Sequence, residues 1–129
     1  MKWLRKKKKL IINGNDYKTK DGTTIRDFIH VLDLVDIHIL IAHYLMDSDE
    51  NEVYNCGYGI GFSIMDVVKE MSSILGYKLP TEFGSKRKGD AEYSVADNQK
   101  FLKKFNWKPK YNNLKMILES ALEWEKKLK

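Results

Sequence analysis

At 129 residues, with 43% hydrophobic and 12% aromatic side chains, the chain has material for one compact core and is too short for a second independent domain. A formal charge of +5 favours an anionic partner, whether nucleic acid, a phosphorylated small molecule or a membrane surface, without choosing among them. The basic start, Met1 to Lys9, runs into only three apolar residues, Leu10, Ile11 and Ile12, far short of a signal-peptide core or a membrane span, so the expectation is a soluble, cytoplasmic protein.

Residues 1–8 read as a basic lead-in or junction, and residues 9–129 as the folded region. Leu10 to Ile12 is a short strand, ended by the turn-rich stretch Asn13 to Asp16, and Asp21-Gly22 marks a second loop. A helix follows over Leu34 to Met46, with Asp33 placed as its N-cap and Asp36 in its first turn. That helix is apolar nearly all round, which calls for more cover than a domain of this size readily supplies. Val53 to Cys56 reads as a strand, then a glycine-rich turn, then a helix capped by Ser63 with Asp66 three residues on and closed by Gly76. Lys78 to Phe83 is a further strand and Gly84 to Asp90 a basic loop. Asp97 is placed to cap a short helix ending at Phe105. Beyond the break at Asn106 to Pro109, Leu114, Ile117, Leu118, Ala121 and Leu122 share one face of a terminal amphipathic helix. The class is α/β.

Few motifs survive comparison with a plain structural role. Gly57-Tyr58-Gly59-Ile60-Gly61 sits where a dinucleotide fingerprint would, but its G-x-G-x-G spacing departs from G-x-G-x-x-G, and a tight turn is the better account. Tyr111 and Lys115 have the spacing of a catalytic Tyr-Lys pair but lie at the start of the terminal helix with no serine or threonine to complete a site. His30, His38 and His43 are spaced by eight and five, which does not put them on one helical face to hold a metal. The single cysteine, Cys56, excludes an internal disulfide. Arg26 and Arg87 each stand in a loop, and a planar guanidinium can fork two phosphate oxygens. Asp90 offers a carboxylate that could accept both hydroxyls of a ribose. Spacing alone leaves solvated loops ahead of that reading.

A family resemblance changes the balance. Gly14 to Val31, with its Asp21-Gly22-Thr23-Thr24-Ile25-Arg26-Asp27-Phe28-Ile29-His30-Val31 core, resembles the G-D/N-D-Y-x-T-x-D-G-T-x-I/V-R-D-Y/F-I-H-V signature of UDP-glucose 4-epimerases. Tyr54-Asn55-Cys56-Gly57 is similar to their Y/F-N-L-G step, Lys86-Arg87-Lys88-Gly89-Asp90 to their R-R-x-G-D loop, and Phe105 to Pro109 to their L-x-W-x-P turn. The resemblance implies the C-terminal, substrate-binding portion of an extended short-chain dehydrogenase/reductase fold, without the N-terminal Rossmann half. In the complete enzyme NAD takes a hydride from C4 of the hexose and returns it to the other face, interconverting UDP-glucose and UDP-galactose. The cofactor fingerprint and the catalytic Ser/Thr, Tyr and Lys of that family have no counterpart among these residues, so the implied role is UDP-hexose binding, with no turnover and no NAD bound by this chain alone.

Carried over by position, Arg26 and Arg87 bind the diphosphate, Asp90 binds the ribose, the backbone of Ile11 and Asn13 flanks the uracil, and Phe28 stands near the same pocket. Lys86 replaces the first arginine of the basic loop, which keeps charge but loses the fork. Expected partners are UDP-glucose, UDP-galactose or their N-acetylated forms, together with a missing N-terminal domain or a second copy in a homodimer. Neither nucleic acid nor a membrane is expected. The alternative is an interaction module or remnant whose apolar helix docks on a separate cofactor-binding half.

Overall fold

A computed structural model describes residues 9–128, and the basic lead-in expected over residues 1–8 lies outside the described residues. The chain alternates short strands with helices: β1 Leu10–Asn13, β2 Ile25–Asp27, α1 Val31–Met46, β3 Gly61–Ser63, α2 Ile64–Leu75, β4 Thr81–Gly84, β5 Tyr93–Ser94, α3 Gln99–Phe105 and α4 Leu114–Lys127. The α/β class expected from the sequence is the class observed. β1 runs parallel to β4, with Leu10 opposite Thr81 and Asn13 opposite Gly84. In the other sheet β2 lies in the middle, antiparallel to β3 and parallel to β5.

Two apolar clusters hold these layers. Ile12 of β1, Val68 and Met71 of α2, Leu79 and Leu118 of α4 form the first. Each such aliphatic side chain contributes about 1.5–3 kcal/mol when fully buried. Ile37 of α1, Phe101 of α3 and Trp107 form the second, and the Trp107 indole N–H reaches Asp36 Oδ2 at 3.1 Å. Helix α2 begins on a complete capping box: Ser63 Oγ accepts from Asp66 N at 3.0 Å, and Asp66 Oδ2 accepts from Ser63 N at 3.0 Å. It ends at Gly76, where φ is +74°.

Several boundaries depart from the sequence reading. Helix α1 begins at Val31 and its cap is His30, whose Nδ1 accepts from Leu32 N at 3.1 Å. Asp33, expected to be the cap, is fully buried inside the first turn and accepts from the Tyr58 hydroxyl at 2.6 Å and from the main-chain N–H groups of Lys110 and Tyr111. A buried carboxylate with three donors is spent on tying distant segments together, which leaves the cap to its neighbour. Val53 to Cys56 carries no ladder among the described residues; the strand lies later, at β3, because a strand exists only where a partner, here β2, supplies its bonds. β4 starts three residues after Lys78, at Thr81. The cap position of α3 is Asn98, and Asp97 instead accepts from Gln99 N at 3.2 Å.

Candidate functional site

The parallel pairing of β1 with β4 brings the basic loop that follows β4 over the end of β1. With the Asn13 amide turned so that its oxygen faces the loop, that oxygen accepts from Arg87 Nε at 3.1 Å and from Arg87 NH2 at 2.9 Å. Arg87 O accepts from Asp90 N at 3.3 Å, closing a main-chain turn between the two residues. Asp90 Oδ1 in turn accepts from Arg26 NH2 at 2.6 Å, a charge-assisted bond between side chains that are 26% and 25% exposed. Arg26 NH1 also donates to Ile25 O at 2.7 Å, which fixes the guanidinium plane. The contact exists because β2 lies beside β5: Ile25 N donates to Glu92 O at 2.8 Å, so the residues just before β5 pass alongside Arg26.

Of the six residues singled out by sequence, Asn13, Arg26, Arg87 and Asp90 are thus joined by an unbroken series of contacts. Ile11 joins them through the sheet; its exposed side chain lies beside Gly84, where an added Cβ would stand 3.0 Å from Ile11 Cγ2. Leu10 N donates to Pro80 O and Gly14 N to Gly84 O, so the even-numbered residues of β1 face β4 with their main-chain groups. Ile11 and Asn13 therefore present theirs on the opposite edge, where no described strand pairs. Phe28 is half-buried just past β2.

The remaining motifs have structural occupations. In the glycine-rich turn, Tyr58 N and Gly59 N donate to the two oxygens of Asp27 at 3.2 and 2.9 Å, and Ala96 N adds a third bond at 3.4 Å. A Cβ on Gly57 would stand 2.6 Å from Asp27 Oδ2. These amides cradle a carboxylate of the chain itself, so the turn does not fit the pyrophosphate of a dinucleotide. Burial, followed by the bond to Asp33, raises the Tyr58 phenol far above its usual range, which keeps it a hydrogen-bond donor. Tyr111 stacks on His30 with ring centres 4.6 Å apart, and Lys115 pairs with Glu119, so the Tyr-Lys spacing assembles no site. Among the described residues no group of three or more His, Cys, Asp or Glu is placed to hold a metal. No helix there is long and apolar enough to cross a membrane.

Two grooves lie elsewhere. One of about 760 Å³ is lined by Lys20, Phe62, Asp66, Lys69, Asn113 and Lys115; another of about 470 Å³ is lined by Asp27, Tyr54, Cys56, Ser94 and Ala96 among others. Neither contains Arg26, Arg87 or Asp90. That shelf of residues is defined by its chemistry: guanidiniums that can fork phosphate oxygens and a carboxylate that can accept from hydroxyls.

The comparisons with known proteins agree with this arrangement of strands and loops. The model of the NAD dependent epimerase/dehydratase family matches residues 2–57. A UDP-glucose 4-epimerase of Azospirillum brasilense is 40% identical over 125 residues, covering 97% of this chain and 36% of the relative. The structure of the UDP-Glc/GlcNAc 4-epimerase from Campylobacter jejuni superposes with a TM-score of 0.79 at 42% identity, over 92% of this chain and 36% of that one. UDP-glucose 4-epimerase from Bifidobacterium longum, solved in complex with NAD+ and UDP, gives 0.80 at 33% identity, over 93% and 35%. The fold is therefore part of an epimerase of the short-chain dehydrogenase/reductase type. The chain is similar to a segment of UDP-glucose 4-epimerases, spanning about 36% of the length of those it matches.

Proposed function

We propose that this chain is the UDP-gripping portion of a UDP-hexose 4-epimerase, holding the diphosphate with Arg26 and Arg87 and the ribose with Asp90. The observation that carries the reading is the series of contacts from Asn13 to Arg87 to Asp90 to Arg26. Two separate parts of the chain, β2 and the loop after β4, supply two guanidiniums and a carboxylate, which is the donor and acceptor set a nucleoside diphosphate asks for. Each guanidinium keeps donors beyond those already used, and Asp90 Oδ2 is left to accept from a pair of hydroxyls. The unpaired edge of β1 supports a uracil contact, because the N–H and C=O groups of Ile11 and Asn13 alternate as donor and acceptor just as the edge of uracil does. Phe28, two residues past Arg26, is assigned to the wall of the same pocket.

Gripping the substrate by its UDP leaves the hexose free to turn over, which is what a reaction at both faces of C4 requires. The hydride chemistry belongs to the complete enzyme with its NAD; this chain alone binds without turnover and works in the cytoplasm. Titration calorimetry with UDP tests the grip. Arg87→Ala should weaken binding about tenfold, the loss of one charge-assisted contact, whereas the neighbouring Lys88→Ala should change it less than about twofold. Equal losses would reduce the loop to a diffuse positive charge. Sustained conversion of UDP-galactose to UDP-glucose by the purified chain with NAD would overturn the inactivity.

A further inference from the structure

Lys86 stands next to Arg87, but its ammonium is already committed on the other side of the loop. Lys86 Nζ donates to Asp16 O at 3.1 Å, pairs with Asp16 Oδ1 at 3.2 Å and lies 4.4 Å from the centre of the Tyr17 ring. Tyr17 is itself anchored: only 6% of it is exposed, and its N–H donates to Gly22 O at 3.0 Å. Gly14 makes the approach possible. At φ +84° it occupies the left-handed region, and a Cβ there would stand 2.6 Å from Tyr17 Cε2 and 2.8 Å from Lys86 Cγ. The loop is thus gripped at two successive residues, Lys86 by the turn after β1 and Arg87 by Asn13 at the end of β1. A loop of exposed lysines and glycine would otherwise have little to fix the direction of its arginine.

We propose that Lys86 is a positioning residue for Arg87, a clamp that fastens the basic loop onto Asp16 and Tyr17 so that the neighbouring guanidinium is presented to the diphosphate. The ligand in this proposal rests on the UDP-binding reading; the clamp itself does not. It differs from a role as a second phosphate cation in a way that charge makes testable. Asp16 is an exposed carboxylate paired with the residue next to Arg87, so by electrostatics alone removing its charge would leave UDP binding unchanged or tighten it. If Asp16 instead serves as the anchor of Lys86, the same change loosens the loop and weakens binding.

The experiment combines UDP calorimetry with the ¹⁵N resonance of the Arg87 Nε–H, which reports the order of that side chain whether or not nucleotide binds. Lys86→Met should weaken UDP about fivefold, Lys86→Arg should restore it to within about twofold because a guanidinium also pairs with a carboxylate and stacks on a ring, and Asp16→Asn should weaken it about threefold. In the Arg87→Ala background Asp16→Asn should add nothing further, as a residue acting only through Arg87 must. The Arg87 Nε–H signal should broaden or exchange away in Lys86→Met and Asp16→Asn while Lys86→Arg keeps it. An unchanged signal in Lys86→Met, or tighter UDP binding by Asp16→Asn, overturns the clamp. Should the parent chain fail to bind UDP while the signal still collapses in both variants, the clamp stands and the diphosphate reading falls.

Discussion

Arg26 carries a task that Arg87 does not, because it also neutralises Asp90 at 2.6 Å. Removing the Arg26 guanidinium takes away a cation and uncovers a carboxylate beside the place proposed for the phosphates. Arg26→Ala should therefore weaken UDP binding by about 2 kcal/mol, roughly thirtyfold, and adding Asp90→Ala should recover part of that loss even though Asp90 is assigned to the ribose. Calorimetry on the two single variants and the double variant reads the coupling; strictly additive losses would show that Asp90 is not held by Arg26. None of this is legible from spacing. Arg26 and Asp90 stand 64 positions apart, and a basic loop is ordinarily solvated, so only the family resemblance raised these residues above their neighbours. The contact itself depends on β2 lying beside β5, a tertiary fact with no local signature. Lys86 was legible only as a departure from the resembled arginine, since the Tyr17 ring and Asp16 lie about seventy positions away from it.

The three longer helices were the readable elements, because an apolar stripe repeats along twelve to sixteen residues, while the strands span two to four residues and exist only through their partners. Val53 to Cys56 has strand-like composition and no ladder; β3 lies in a glycine turn and has one. The start of α2 was also readable, since Ser63 and Asp66 form a local capping box, but its link to the loop before β2 was not. Ser63 Oγ donates to Asp21 Oδ2 at 2.5 Å, and Asp21 Oδ1 accepts from Thr23 N at 3.0 Å and Thr23 Oγ1 at 2.7 Å. Burial works against the charged form of Asp21, yet the bonds from Ser63 and Thr23 outweigh it and hold the carboxyl below its usual range. Asp66 is lowered in the same way, against burial, by Lys20 and Ser63. A folded-state value below the unfolded one means stabilisation that is present above the unfolded pKa of about 3.9 and lost as pH falls through the lowered native value. Thermal melts should therefore fall steeply below about pH 4. Asp21→Asn should lower the melting temperature at pH 7 and flatten that acid limb. A variant with an unchanged pH profile would remove Asp21 as a source of the acid sensitivity.

At the scale of the whole molecule, helix α1 has two apolar stripes and the described chain covers only one. Ile37 is buried, with Leu40 and Ile41 packed around it, against Phe101 and Trp107. Leu32, Val35, Ile39, Ala42 and Met46 recur at spacings of three and four on another face, and all five are exposed, Met46 by 80% and Ile39 by 53%. A continuous apolar stripe in water is unfavourable, and monomeric proteins seldom display one of this length. The sequence foreshadowed it, since a helix without a polar face leaves one side unaccounted for. The stripe runs along a helix whose residues take no part in the contacts joining Arg26, Arg87 and Asp90, so the two features should respond independently. Replacing Val35 and Ile39 together with glutamate should lower the fluorescence of a hydrophobic dye and reduce concentration-dependent self-association in sedimentation, while UDP affinity stays within about twofold. A large loss of UDP affinity with the fold intact would instead mean that α1 and the shelf are coupled, and that the stripe helps to shape the site.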